Sequence, residues 1–326
     1  MVNIIDVAKA AGVGIATVSR VINKSGYVKK ETREKIEQVI QEIGYVPNEI
    51  ARSMTLQKNN IVAFILPNST HLFFAELMYF IEEELFEQGY KLMVCNSSMQ
   101  TEKDIAYIDL LKKNRVDAII LLTNNDVESH LNKRLPIISF DRRFDGVPFV
   151  ASDNYAGGVM AARHLASKGC KRIMFIGDDA QGIHSKVVTE VSKRRIGFFD
   201  ELNKLGIGDV INVEYPLGNY IYIPEYVHQI IRSHPEIDGI FCISDAVAAK
   251  VIKNLEQSGR KVPEDIKVIG FDGGRSFINL GKKITSIGQS PKLIAEAIAQ
   301  VLHQYDTKKT AQSIIVPVYF QEGDTA

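Results

Sequence analysis

The chain has 326 residues, 45% of them hydrophobic and 24% charged, with 39 Lys and Arg balanced by 39 Asp and Glu. Such a chain is globular, longer than one typical domain and able to bury a large core. Its three cysteines, Cys95, Cys170 and Cys242, form no CxxC pair, which excludes a zinc knuckle or a disulfide framework, and no run approaches the ~20 apolar residues of a membrane span. The N-terminus carries no basic-then-apolar leader, so a cytoplasmic protein is expected.

Zero net charge hides an uneven distribution. Residues 1–60 hold nine Lys and Arg against six Asp and Glu, an excess of +3 that the remainder offsets with −3. A modest basic excess binds phosphate weakly in one copy and better in two, because each neutralised phosphate adds an increment.

The first predicted elements are short. Val7, Ala8 and Ala11, then Val18, Val21 and Ile22, recur at helical spacing on either side of Gly12. This predicts two amphipathic helices joined by a tight turn, for which Gly12 supplies a positive φ. The second helix would present Ile15, Ala16, Thr17, Ser19 and Arg20 outward, groups suited to base edges and phosphates in a major groove. On this pattern alone, a hairpin used only for packing remains open. A third periodic segment, Lys30 to Ile43 with Ile36, Val39, Ile40 and Ile43, completes a three-helix core.

From Ile61 the texture changes to short apolar runs alternating with longer amphipathic ones: Ile61 to Leu66, Lys91 to Val94, Ala118 to Leu122 and Pro136 to Phe140, spaced by helical stretches. The pattern restarts after Tyr155, with strands expected at Arg172 to Ile176, Val210 to Glu214, Gly239 to Ile243, Lys267 to Phe271 and Ile284 to Ile287. Runs without alternation, separated by helices, indicate parallel strands buried on both faces. Two doubly wound α/β halves are implied, with no obvious sequence repeat between them. Helix Lys292 to Gln304 and the segment Ser313 to Phe320 form a tail.

Two ordered motifs carry a resemblance. Asp6-Val7-Ala8-Lys9-Ala10-Ala11-Gly12-Val13-Gly14-Ile15-Ala16-Thr17-Val18-Ser19-Arg20-Val21-Ile22-Asn23, followed at Gly44-Tyr45-Val46-Pro47-Asn48 and Ala51-Arg52-Ser53-Met54, resembles the helix-turn-helix headpiece and hinge of the lactose-repressor/galactose-repressor family. The resemblance implies a helix-turn-helix headpiece over 1–47, a hinge helix or linker over 48–59 and an effector-binding and dimerisation domain over 60–326. That domain would be bilobed and periplasmic-binding-protein-like. Its first lobe would comprise about 60–153 and 290–326, with the tail crossing back to complete it, and its second lobe about 154–289.

Position by position, the resemblance places Ile15 and Ala16 where the family chooses bases, Arg20 in the groove, and Thr17, Ser19, Asn23 and Tyr27 on phosphates. Asn48, Ala51 and Met54 fall in the hinge, with Met54 at the wedge position that is usually Leu. Gly14 stands where the family usually has Ser, a cap substitution that costs only a few tenths of a kcal/mol.

Ligands of open α/β sheets lie beyond the carboxyl ends of strands. Asp141, Asp245, Asp272 and Gln289 fall at such ends, and carboxylates with an amide can pair with vicinal hydroxyls. Arg194 matches the family's RxxGF arginine, Asp272 its IGFD element, and Phe73, Phe74 and Tyr220 could stack on a sugar ring. For Asp141 a solvated loop, and for Phe73 and Phe74 plain core packing, are equally open. Asp153 and the glycines after it are expected to cap a helix and permit close packing.

Enzyme signatures are missing: Gly12-Val13-Gly14 has Thr17 where GxGxxG needs glycine, no P-loop, HExxH or GxSxG occurs, and the seven histidines show no metal spacing. No cofactor, metal or membrane partner is expected. The resemblance implies a homodimeric repressor of carbohydrate-utilisation genes, binding a pseudo-palindromic operator under control of a sugar or sugar phosphate. Phe140-Asp141-Arg142, Gly169-Cys170-Lys171 and Phe271-Asp272-Gly273 incline the likeness towards sucrose-operon repressors. Two alternatives stand beside it: a catabolite-control regulator whose corepressor is a phosphorylated phosphocarrier protein, and a sugar-binding protein that binds no DNA.

Overall fold

The computed structural model describes residues 2–23, 25–46, 58–178, 189–215, 225–273, 281–307 and 309–326. The chain divides into two units, Met1–Asn59 and Asn60–Ala326.

In the first unit, Asn3 begins helix α1, Ile4–Ala11, by accepting from the N–H groups of Ile5 and Asp6, while Asp6 returns a bond to the Asn3 N–H. This reciprocal cap satisfies donors that a helix start leaves open. Gly12 ends α1 in the left-handed conformation, φ 67°, and α2, Ile15–Ile22, and α3, Lys30–Glu42, follow. Val7, Ala8, Ala11, Val18, Val21, Ile36 and Val39 form the buried core, with Ile22, Ile40 and Ile43 half-buried against it. That is the three-helix core the spacing predicts.

The second unit holds two six-stranded sheets. The first contains β1 Ile61–Leu66, β2 Lys91–Asn96, β3 Ala118–Leu121, β4 Ile137–Phe140, β5 Phe149–Ser152 and, from the tail, β11 Ile314–Val316. Its order is β11-β5-β4-β3-β1-β2, parallel throughout. The second contains β6 Ile173–Asp178, β7 Val210–Tyr215, β8 Gly239–Cys242, β9 Lys267–Asp272, β10 Thr285–Gly288 and β12 Tyr319–Gln321. Its order is β12-β10-β9-β8-β6-β7, with only β12 antiparallel.

The inner strands of the first sheet, β1, β3, β4 and β5, are buried on both faces, as their unbroken apolar runs require. Val62, Phe64 and Leu66 pack with helices α4, Leu72–Glu87, and α10, Pro291–Asp306, whereas Ala63 and Ile65 point the other way, towards α5, Thr101–Lys112. The two lobes exchange helices. α6, Asn154–Ser167, follows first-sheet strand β5 but packs in the second lobe, and α10 follows second-sheet strand β10 but packs in the first. The second lobe also carries α7 Lys193–Lys204, α8 Glu225–Ser233 and α9 Asp245–Gln257.

The tail differs from expectation. Pro317 has no N–H to donate and separates β11 from β12, and the chain then passes to the second lobe, where Thr325 bonds to Val268 and Thr285. Residues 318–326 therefore belong to the second lobe and not to the first. β5 was hidden in the sequence between Phe140 and Tyr155; four residues are too few to show a period. Among the described residues, no helix is long and apolar enough to cross a membrane.

Candidate functional site

In the first unit, α2 turns its apolar residues Val18 and Val21 inward and leaves Ile15, Ala16 and Arg20 exposed. Thr17 and Ser19 are half-buried, and Tyr27 is 85% exposed. Gly14 caps α2 from an extended backbone with no side-chain bond, so the helix forms without the usual serine. Asn23 Nδ2 donates to Ser19 Oγ at 3.2 Å, linking two of the expected phosphate contacts. The Arg20 stem lies along Gly26, where a Cβ would meet its Cδ at 3.6 Å. Asn48, Ala51 and Met54, and with them the expected hinge helix, lie outside the described residues.

In the second unit, a cleft of about 650 Å³, solvent at its mouth included, opens among strand ends of both sheets. Phe73, Phe74, Asp141, Arg194, Asp272 and Gln289 all line it. Phe73 and Phe74 also belong to the first-lobe core, so the packing and site readings are both true of them. Tyr220 lies outside the described residues.

Asp245 does not line the cleft. As the first residue of α9 it lies under β9, where a Cβ on Gly270 would meet its Oδ1 at 1.9 Å. The preceding Ser244, which caps α9 through the Val247 N–H at 3.4 Å, faces the cleft in its place. Sequence reasoning also missed His71, Thr123, Asn124, Arg142 and Thr189 in the lining. The strand-end rule, applied to β3 and β8, would have found Thr123, Asn124 and Ser244.

Arg194 is the centre of the site. Its position depends on a close crossing of α6 and α7: a Cβ on Gly158 would meet the Arg194 carbonyl at 2.0 Å, and one on Gly197 the Tyr155 carbonyl at 2.2 Å. Asp153 caps α6 through the Ala156 N–H at 3.0 Å, a structural role as expected, while Gly157 lies against the Phe271 ring. From α7, Arg194 donates through Nε to Asn154 Oδ1 and through Nη1 to the Ile243 carbonyl, both at 2.7 Å. Its guanidinium carbon sits 3.6 Å above the Phe271 ring centre, and Nη1 is 3.7 Å from Asp272 Oδ1.

The network continues across the lobe crossovers. Gln289 Nε2 donates to Asp272 Oδ1 at 2.8 Å, and Ser152 Oγ donates to Gln289 Oε1 at 2.5 Å. Burial pushes the Asp141 and Asp272 carboxyls up to about 6 even though the Arg194 charge pulls both down. Burial likewise pushes His71 down to about 4, helped by the nearby Arg194 charge. The imidazole is thus neutral at pH 7. Asp141 Oδ1 is buried with no hydrogen-bond partner among the described residues, an acceptor that a ligand hydroxyl could satisfy.

Residues 3–48 match the family described as bacterial regulatory proteins, lacI family, and residues 59–323 match the periplasmic binding proteins and sugar binding domain of LacI family. The sucrose operon repressor of Streptococcus mutans serotype c is 34% identical over 98% of this chain and 98% of its own. The lac repressor dimer bound to operator and the anti-inducer ONPF has the same fold at 20% identity, with a TM-score of 0.85 over 99% of this chain and 98% of that one. A periplasmic binding protein/LacI transcriptional regulator from Alkaliphilus metalliredigens QYMF, complexed with D-xylulofuranose, is 27% identical with a TM-score of 0.71, covering 82% of this chain and 99% of that one.

Proposed function

The chain belongs to the lacI family of bacterial regulatory proteins, and from that premise we propose that it represses carbohydrate-utilisation genes and that a small sugar in the cleft modulates its hold on operator DNA. Its work is binding, not turnover. The observation that carries the sugar reading is the Arg194–Asp272–Gln289 cluster: a buried guanidinium from α7 paired with a strand-end carboxylate, which also accepts from a strand-end amide, beside the aromatic residues Phe73 and Phe74. Such a set pairs with hydroxyls on one side and packs against a ring face on the other.

An uncharged sugar fits better than its phosphate ester. Arg194 is engaged as described, and Arg142 Nη1 donates to the carbonyls of Thr123 and Asn125 at 3.3 and 2.5 Å. Among the described residues, these two guanidiniums share the lining with two carboxylates. The D-xylulofuranose held by the Alkaliphilus relative supports a ligand of monosaccharide size.

The protein acts as a homodimer, pairing two headpieces on a pseudo-palindromic operator. On α4, Leu72, Tyr79 and Phe86 are 45%, 60% and 73% exposed. Their seven-residue spacing forms one apolar stripe.

Genomic fragments captured by the purified protein are expected to converge on a pseudo-palindrome near carbohydrate genes. Titrating sugars and their phosphates against the protein–operator complex should yield an uncharged sugar that changes affinity by about 5–150-fold. Capture without sequence preference, or operator affinity indifferent to every sugar tested, would refute the reading.

A further inference from the structure

Beside the cleft, the two lobes are joined by contacts that the ligand reading does not use. Arg143, on the first-lobe turn after β4, donates through Nε to Glu190 Oε1 at 2.6 Å. Lys193, at the start of α7 in the second lobe, donates through Nζ to Oε2 of the same carboxylate at 2.7 Å. The Glu190 N–H donates to the Asp141 carbonyl at 2.8 Å, and Arg142 forms an antiparallel bridge with Thr189.

The three charged groups differ in exposure. The Arg143 and Lys193 side chains are 58% and 37% exposed, but that of Glu190 is only 6% exposed. An exposed ion pair contributes little. A carboxylate withdrawn from water needs charged partners to replace its hydration, and leaving it short of one is costly. Lys193 accompanies Glu190 on its own lobe, whereas Arg143 arrives only when the first-lobe turn lies against the second lobe. Asp141, on that turn, is held at φ 54°, a conformation that persists in a non-glycine residue only when its neighbours impose it.

We infer that Glu190 is a positioning residue: with Arg143 it clasps the Asp141–Arg143 turn to the second lobe, and so holds Asp141 in the cleft wall with Asp272 before any ligand binds. The backbone crossovers are covalent and act as a hinge, while the clasp is the part that can open. Asp141 and Thr189 take part in the clasp and also line the cleft, so access to the site requires the clasp to loosen. That last consequence rests on the cleft being a ligand site; the clasp itself does not.

The test uses the full-length protein without ligand or DNA. Glu102 and Glu225 are exposed and lie at the starts of α5 and α8, one on each lobe, so Glu102→Cys and Glu225→Cys accept a pair of spin labels. The native cysteines are buried, and burial pushes the Cys95 and Cys170 thiols up to about 11, so they stay unlabelled.

Pulsed electron resonance should give one narrow inter-lobe distance in the otherwise native protein. Arg143→Gln and Glu190→Gln should both move most of the population to longer distances. Arg143→Lys, which keeps the cation, should stay near the native distance. Arg143→Gln removes a half-exposed side chain, so its melting curve should confirm a native fold. Distributions in Arg143→Gln and Glu190→Gln that superimpose on the native one would overturn the clasp, as would Arg143→Lys opening as far as Arg143→Gln. Either result would leave the repressor reading untouched, and that reading's own failure would leave the distance result standing.

Discussion

Asp141 and Asp272 occupy matching points of the two lobes. Each follows a phenylalanine at the carboxyl end of the strand lying fourth in its sheet, counted from β2 in one and from β7 in the other. Both have positive φ, 54° and 108°. An L-residue held this way costs roughly 1–3 kcal/mol. The same strain at equivalent places, in lobes without a visible sequence repeat, is accounted for by a common role, because both carboxyls reach past their strand ends into the field of Arg194.

The burial of these carboxyls can be read from pH. Each is pushed up from the ordinary 3.8 to about 6, so the folded state holds protons that the unfolded chain has released. Their contribution to stability is full below about pH 4 and is lost as pH rises through about 6. His71, pushed down to about 4, works the opposite way, because below its ordinary value the unfolded form takes up the proton first. Comparing Asp141→Asn with wild type cancels that background. The variant should be more stable than wild type at about pH 7, by roughly 2–3 kcal/mol, with the difference vanishing below about pH 4. Calorimetric melting across this range checks it, and a pH-independent difference would count against a buried charge.

Gly158→Ala should be severe. The new methyl would meet the Arg194 carbonyl and the Phe198 amide nitrogen, at 2.0 and 2.7 Å, so α6 and α7 must separate at a cost of roughly 2–4 kcal/mol. Because Arg194 moves with α7, sugar affinity should fall as well. Denaturant titration measures the first effect and calorimetry the second.

The stripe on α4 predicts assembly. Phe86→Glu places a charge on the most exposed residue of the stripe, the face proposed to pair in the dimer, and should yield monomers in light scattering. Operator affinity should drop by about 100-fold or more as the second headpiece is lost, whereas sugar affinity should persist.

Arg20→Ala tests the reading helix. Because Arg20 is exposed on α2, its loss should cost about 1–3 kcal/mol on the cognate operator and flatten preference at one base pair per half-site. Thr17→Ala should weaken all sequences nearly equally. Competition binding across an operator library separates the two.

The headpiece and most parallel strands were legible because their signals are local: helical spacing at Val7, Ala8 and Ala11, and unbroken runs such as Ile61 to Leu66. Asp141, Asp272 and Gln289 were legible because strand ends face a cleft in open α/β sheets. What escaped depends on rotation or long-range contact. Asp245 and Ser244 are neighbours, but successive residues of a starting helix diverge by about 100°, and only Ser244 faces the cleft. Glu190 meets Arg143 across the lobes, a pairing that no local pattern announces. The tail reads as one segment until Pro317 divides it between the two sheets.

The central claim is that a sugar gripped at Asp272 and Arg194 controls DNA binding by the headpiece. The most direct measurement is operator affinity by fluorescence anisotropy, with and without the effector sugar, for wild type and Asp272→Asn. Asn keeps the shape but removes the acceptor charge, leaving ligand hydroxyls incompletely satisfied. Wild type should shift by about 5–150-fold, and Asp272→Asn should bind the operator normally in the absence of sugar but lose most of that shift. A full shift in Asp272→Asn would contradict the account.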